Sequence, residues 1–186
     1  MIDHNNITIE KKRARQSFDR AVATYDEHAA LQRLVVDNMI DSLDIIRIAP
    51  KIILDVGAGT GYGARVLERL YPRARTVLLD SSTSMLAYAK SKDTRWRSRQ
   101  RYLCADAESL PVASASVDFV FSSLTFQWCN DLDSVFSECR RVLKPEGLLL
   151  FSSLGPDTLR ELRDAWSAVD HAPHINQFID MHDVGD

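Results

Sequence analysis

The sequence predicts an α/β fold, a doubly wound and mostly parallel sheet with helices on both faces. Three observations carry the prediction. Strand-like apolar runs and amphipathic helical patterns alternate along the chain. The first run, Ile52-Ile53-Leu54-Asp55-Val56, stops at a glycine-rich turn, Gly57-Ala58-Gly59-Thr60-Gly61, that opens a helix. Acidic or small residues then stand at the ends of the runs that follow. Right-handed crossovers between such units gather the carboxyl ends of the strands on one side, where open α/β sheets bind ligands.

Taken in order, residues 10–46 read as helical, in two parts. Ala14, Phe18 and Ala21 share a face of the first part; Leu31, Leu34, Val35, Met39 and Leu43 share one of the second. Between them, Thr24 and Glu27 have the spacing of a capping box. Ala49-Pro50 ends this helical cap, residues 1–48, before the α/β core of residues 50–186; together they form a single domain. Helices are expected from Gly63 to Tyr71, from a Ser81 or Ser82 cap through Met85, Leu86 and Ala89, from Leu132 to Leu143, and from Asp157 to about Val169. The later strands are expected at Thr76–Asp80, Arg101–Asp106, Val117–Ser122 and Leu148–Ser153, with Lys144-Pro145-Glu146-Gly147 as the turn before the last.

Composition narrows the function. A net charge of −3 gives no global basic field for nucleic acid. No apolar run is long enough to span a bilayer, and the first residues lack a signal-peptide layout. The 3 cysteines are scattered, with no C-x-x-C pair, and read as reduced thiols of a cytoplasmic protein. His171, His174, His182 and Asp183 gather near the end, but Pro173 breaks a helical histidine pair and no cysteine joins them; the expectation is no metal. The basic run of Lys90, Lys92, Arg95, Arg97, Arg99 and Arg101 reads as a solvated face or as a surface for an acidic partner.

The strand ends carry the chemistry. The turn is G-x-G-x-G, with Tyr62 where a dinucleotide fingerprint has its third glycine. Gly57, Gly59 and Gly61 let the backbone approach a ligand closely, two residues after Asp55. Asp80, ending the second strand, suits a ribose diol; an acid at a strand–helix junction also suits a helix cap, which Ser81 or Ser82 can supply instead. Asp106 suits an exocyclic amine of adenine, with Ala107 offering a backbone N–H, or else a simple turn. Met85 covers the adenine or fills the core, and Ser123 and Leu124 follow the fourth strand.

Quoted together, LDVGAGTG at 54–61, Asp80 after TVLL, CADAESLP at 104–111, VDFVFSSLTFQW at 117–128 and RVLKPEGLLLFSSLG at 141–155 resemble the class I S-adenosylmethionine-dependent methyltransferases. That resemblance implies a Rossmann-like class I methyltransferase fold and S-adenosylmethionine as cofactor, with its methionine part beside Ser123 and Leu124. SFDRAVATYDEHAALQR at 17–33, LGPDTLRELRDAW at 154–166 and NQFIDMHDVGD at 176–186 resemble the malonyl-acyl-carrier-protein O-methyltransferase family of biotin synthesis. This implies methylation of the free carboxylate of malonyl-acyl carrier protein, with Tyr25 orienting the acceptor and His28 one helical turn on as a second catalytic candidate. Another small-molecule methyltransferase and a catalytically silent cofactor-binding module remain as alternatives. The superfamily sheet has seven strands in the order 3-2-1-4-5-7-6, and five strand patterns are readable here. The last two strands are therefore expected to be missing, leaving Leu148 to Phe151 as an apolar edge open to self-association.

Overall fold

A computed structural model describes residues 9–93, 98–170 and 178. Its centre is a 5-stranded parallel sheet in the order β3-β2-β1-β4-β5. The strands are β1 (Ile52–Val56), β2 (Arg75–Asp80), β3 (Gln100–Cys104), β4 (Val117–Ser123) and β5 (Leu143–Ser152). The helices are α1 (Lys11–Ala21), α2 (Tyr25–His28), α3 (Ala30–Asp41), α4 (Tyr62–Leu70), α5 (Thr83–Lys92), α6 (Leu132–Val142) and α7 (Arg160–Ser167). The chain reverses direction across the sheet between β3 and β4, so the crevice that receives ligands in this topology opens above β1 and β4.

β1 and β4 are buried because both of their faces are covered. Strand alternation sends Leu54, Val56 and Val120 to one layer, where they meet Val135, Cys139 and Val142 of α6. It sends Ile53, Phe119 and Phe121 to the other, against Val36 and Met39 of α3 and Leu67 of α4. Phe119 and Phe121 stack edge to face there, with centroids 6.2 Å apart. No helix among the described residues is long and apolar enough to cross a membrane.

Several local expectations are corrected. Leu31 and Leu34 are 56% and 58% exposed rather than packed; Met39 and, just past α3, Leu43 are buried as expected, and Val36 joins them. No capping box forms, because the Thr24 hydroxyl turns back to the Ala21 carbonyl and its backbone is helical. Lys144 to Gly147 is not a separate turn. It is a bulge inside β5, where pairing steps from Val117–Leu143 to Phe119–Leu148 and Glu146 takes φ 64°. The Asp118 carboxylate pins this bulge, accepting from Lys144 Nζ at 2.7 Å and from the Ile52 and Lys51 N–H groups at 2.8 and 2.9 Å. These donors outweigh the partial desolvation of Asp118 and hold its carboxyl below the usual carboxylate range. α7 is shorter than expected, and β3 stops at Cys104. Leu148 to Phe151 are half-buried rather than exposed, because β5 packs on both layers; only its outer backbone edge lacks a strand among the described residues.

Candidate cofactor and acceptor cavity

A cavity of about 700 Å³ lies over the carboxyl ends of the strands, between the sheet and α1 to α3. The glycine-rich turn forms its floor. The Gly57 and Ala58 N–H groups donate to the Leu79 carbonyl at 2.7 and 3.0 Å, which bends the chain out of the sheet. Gly57 has φ +73°, and a Cβ built on it falls 2.0 Å from Thr125 Oγ1, so only glycine fits. Gly59, at φ +52°, is the opposite case. A Cβ there meets nothing within 4 Å, because this backbone faces open space, and Gly61 then starts α4.

Asp80 stands at the end of β2. One carboxylate oxygen accepts from Gly59 N–H at 2.8 Å and the other from Ser82 N–H at 2.8 Å. The cap of α5 is Ser82, whose hydroxyl accepts from Met85 N–H at 3.0 Å, so Asp80 is spared that task. Burial raises the pKa of Asp80, and the N–H bonds work against it. Asp55, 3% exposed, lies under the turn with Oδ2 unpartnered toward the cavity. Burial, and after it the charge of Asp80, push Asp55 up to about 7 against the lowering effect of the Ala64 N–H.

Ser81, Met85, Ala107, Ser123 and Leu124 also line the cavity. Met85 is 2% exposed, so it is both a cavity wall and a core residue. Leu124 holds φ 50° and donates to the Ser152 carbonyl at 3.0 Å, which ties the end of β4 to β5. Asp106 is engaged twice. Its Oδ1 accepts from Glu108 N–H at 3.0 Å as a turn former, and its Oδ2 pairs with Lys11 at 2.7 Å. Those partners outweigh its desolvation and lower its pKa.

The roof is α1, which buries none of its residues and is fastened at its two ends. Lys11 bridges Asp106 and Glu108, the latter at 2.6 Å, and Asn130 holds the Ile9 N–H at 2.7 Å and its carbonyl at 3.1 Å. Asp19 accepts from the Ser82 hydroxyl, and Phe18 meets Trp128 edge to face at 5.3 Å. Tyr25 lines the cavity beneath this roof. Burial first, then the charges of Asp80 and Asp26, raise its pKa, so the phenol keeps its proton and can donate.

His28 is not at the cavity. It is exposed at the last position of the four-residue α2 and does not line the cavity as Tyr25 does. The basic run is also remote. Lys90 and Lys92 end α5, and Arg99 and Arg101 flank the start of β3, all at the amino ends of the strands; Arg95, Trp96 and Arg97 lie outside the described residues. So do His171, His174, His182 and Asp183. Among the described residues no group of three or more metal-ligating side chains occurs. Burial pushes Cys129 and Cys139 up to about 12, which removes both as thiolate nucleophiles. Sequence reasoning did not single out Lys11, Gln32, Arg33, Thr125 or Gln127, all of which line the cavity.

A parallel sheet of this order with a glycine turn, a buried acid before it and a second acid at the end of β2 has the layout of a nucleotide-cofactor site in a doubly wound fold. The chain belongs to the methyltransferase-domain family, whose pattern matches residues 54–151. It is 49% identical over 187 aligned residues to malonyl-[acyl-carrier protein] O-methyltransferase of Gallionella capsiferriformans, covering 98% of this chain and 64% of that protein. It is 52% identical to the protein of the same name from Laribacter hongkongensis, covering 95% of this chain and 62% of that protein. The chain thus spans less than two thirds of the length of these curated relatives. In fold it resembles a chain of the complex between the Haloferax volcanii Trm112 methyltransferase activator and a methyltransferase, with TM-score 0.73 at 22% identity over 90% of this chain and 72% of that one. It also resembles a SAM-dependent methyltransferase from Aquifex aeolicus, with TM-score 0.63 at 20% identity over 74% of this chain and 73% of that one.

Proposed function

We propose that this chain is the donor-binding part of an S-adenosylmethionine-dependent O-methyltransferase that esterifies the free carboxylate of malonyl-acyl carrier protein in biotin synthesis. The observation that carries the reading is the relatives' shared name at about half identity along nearly the whole chain. The cavity fits the cofactor on three counts. Gly59 leaves open space above the turn. Asp80 keeps lone pairs beyond those used by Gly59 and Ser82, which suits a ribose diol. Asp55 Oδ2 is an orphaned buried acceptor that suits an ammonium group. The fit at Asp106 is conditional, since Lys11 already holds the oxygen that would take the adenine amine.

The cofactor, when bound, supplies an electrophilic sulfonium methyl. The residues of this chain orient and desolvate around it. A carboxylate acceptor is already ionised at neutral pH, so no general base is required. Tyr25 donates to the acceptor oxygen and holds it in line, and α1 excludes water above it. A cytoplasmic location goes with this reading, as do three free cysteines. Self-association through the outer edge of β5 is a further part of it, since no strand among the described residues pairs with that edge.

The test is methyl transfer by the full-length protein to malonyl-acyl carrier protein and to a panel of other small carboxylates. Selective methylation of the malonyl carrier is expected. Preference for a different acid sinks the substrate assignment, and cofactor binding with no turnover on any acceptor points to a silent module. Tyr25→Phe is expected to lower kcat about tenfold or more while leaving cofactor affinity within about twofold; an unchanged rate returns Tyr25 to a packing role against Phe18.

A further inference from the structure

The cavity wall carries a half-buried guanidinium that has no carboxylate within ion-pair distance among the described residues. Arg33 of α3 is half-buried and lines the cavity beside Tyr25, Asp26 and Tyr62. One Nη donates to the Asp26 carbonyl, which fixes the side chain across the step from α2 to α3. On its other flank the Tyr62 hydroxyl donates to Asp37 at 2.9 Å, within reach of the Arg33 charge. Among the described residues no carboxylate stands within ion-pair distance of Arg33. Arg15 also lines the cavity, but from an exposed position on α1 where water screens it.

The neighbouring acceptors are unsatisfied in the complementary sense. Asp55 Oδ2 and Gln32 Oε1 line the same cavity, are buried, and have no donor. Buried polar groups of native proteins are normally paired. A cation lacking an anion and oxygens lacking donors, in one cavity, match a ligand that brings both a carboxylate and an ammonium. With one Nη engaged, the remaining edge of the guanidinium keeps the fork geometry for a bidentate carboxylate.

We propose that Arg33 is the carboxylate-gripping residue of this cavity, an inference that rests on the methyl-transfer reading. The carboxylate comes either from the amino-acid end of the cofactor or from the methyl acceptor. The unpaired Asp55 and Gln32 oxygens favour the amino-acid end, since only that end also brings an ammonium.

The experiment is calorimetric titration of the chain and of Arg33→Met and Arg33→Lys with three probes. S-adenosylhomocysteine has the amino-acid end, 5′-methylthioadenosine lacks it, and malonyl-pantetheine carries the acceptor carboxylate. Arg33→Met is expected to weaken S-adenosylhomocysteine about tenfold or more, the scale of a lost charge-assisted bidentate contact. Methylthioadenosine should stay within about twofold of wild type, and Arg33→Lys should recover part of the loss. Unchanged S-adenosylhomocysteine with weakened malonyl-pantetheine assigns the grip to the acceptor. Equal weakening of both nucleosides, or no change with any probe, overturns the proposal, the former by giving Arg33 a merely structural role. A wild-type chain that binds neither nucleoside rejects the methyl-transfer reading instead, and the malonyl-pantetheine arm then decides Arg33 alone. Should Arg33→Met not fold by circular dichroism, Arg33→Gln takes its place.

Discussion

Asp55→Asn tests the electrostatics of the cavity floor. Asp55 is buried, its Oδ2 has no partner, and its pKa rises from the ordinary 3.8 to about 7. Burial is the main cause, and the nearby Asp80 charge adds to it. In the folded chain the proton is therefore held to a higher pH than in the unfolded chain. The stability gained from that proton is complete below pH 3.8 and is lost as pH rises through about 7. The gap is about three decades of proton concentration, and at 1.36 kcal/mol per decade it amounts to about 4 kcal/mol. An asparagine cannot ionise, so the variant lacks this loss. Urea unfolding from pH 4 to pH 8 should show the stability of Asp55→Asn relative to wild type growing by about 4 kcal/mol, most of it between pH 4 and 7. A ligand ammonium at Oδ2 would favour the ionised form, so S-adenosylhomocysteine binding near pH 6 should release a proton. Calorimetry in buffers of different ionisation enthalpy reads that release directly. A difference that stays flat across the pH range, to within about 1 kcal/mol, would refute the assignment of a buried carboxyl that holds its proton beneath the turn.

Other perturbations probe the walls. Asp80→Ala should weaken S-adenosylhomocysteine by roughly 1–3 kcal/mol, the scale of a charged hydrogen-bond acceptor; calorimetry showing wild-type affinity would remove Asp80 from the site. Gly57→Ala should destabilise the fold by roughly 2–5 kcal/mol, about 1–2 from left-handed backbone and 1–3 from overlap with Thr125. Adding Thr125→Gly should return the overlap part in urea melts and leave the backbone part, so an undamaged single variant would disprove the close approach. Lys11→Ala breaks two partly exposed ion pairs, so it should cost only about 1 kcal/mol of stability or less. Stopped-flow fluorescence should nonetheless find S-adenosylhomocysteine leaving a few-fold faster at low salt. If α1 is not fastened by this contact, the two dissociation rates will coincide.

The sheet was legible because its signals are local. Ile52 to Val56 is a run too apolar for an exposed strand, and glycine after it is demanded by a turn whose Cβ positions are blocked at Gly57. Asp80 and Ser82 fall at the strand–helix junction by counting alone, and Ser82 takes the cap. Even the ambiguity at Met85 was sound, since one side chain serves both core and cavity. The amino-terminal helices were less legible. α3 is apolar on two flanks, and periodicity cannot say which flank meets the sheet. Val36 and Met39 do, because Phe119 and Phe121 present their rings there. His28 does lie one helical turn from Tyr25 within α2, but spacing alone could not tell that Tyr25 lines the cavity while His28 is exposed.

The contacts that close the cavity were not legible at all, and the reason is separation along the chain. Lys11 and Asp106 are 95 residues apart, and Ile9 and Asn130 are 121 apart. Nothing in a run of lysines and arginines tells which one will land on an acid and which will face water. The same holds for Arg33, which reads as an ordinary polar position of a helix until α2 and α3 are folded over the glycine turn. Partial burial then removes some of the water that would have solvated it. What makes Arg33 distinctive is therefore a deficit, a half-buried charge with no ion-pair partner among the described residues, and deficits exist only in three dimensions. The strand ends follow from local backbone rules. The residues that turn such a site toward a particular ligand come from helices docked at long range, where function is read from what the folded chain leaves unpaired.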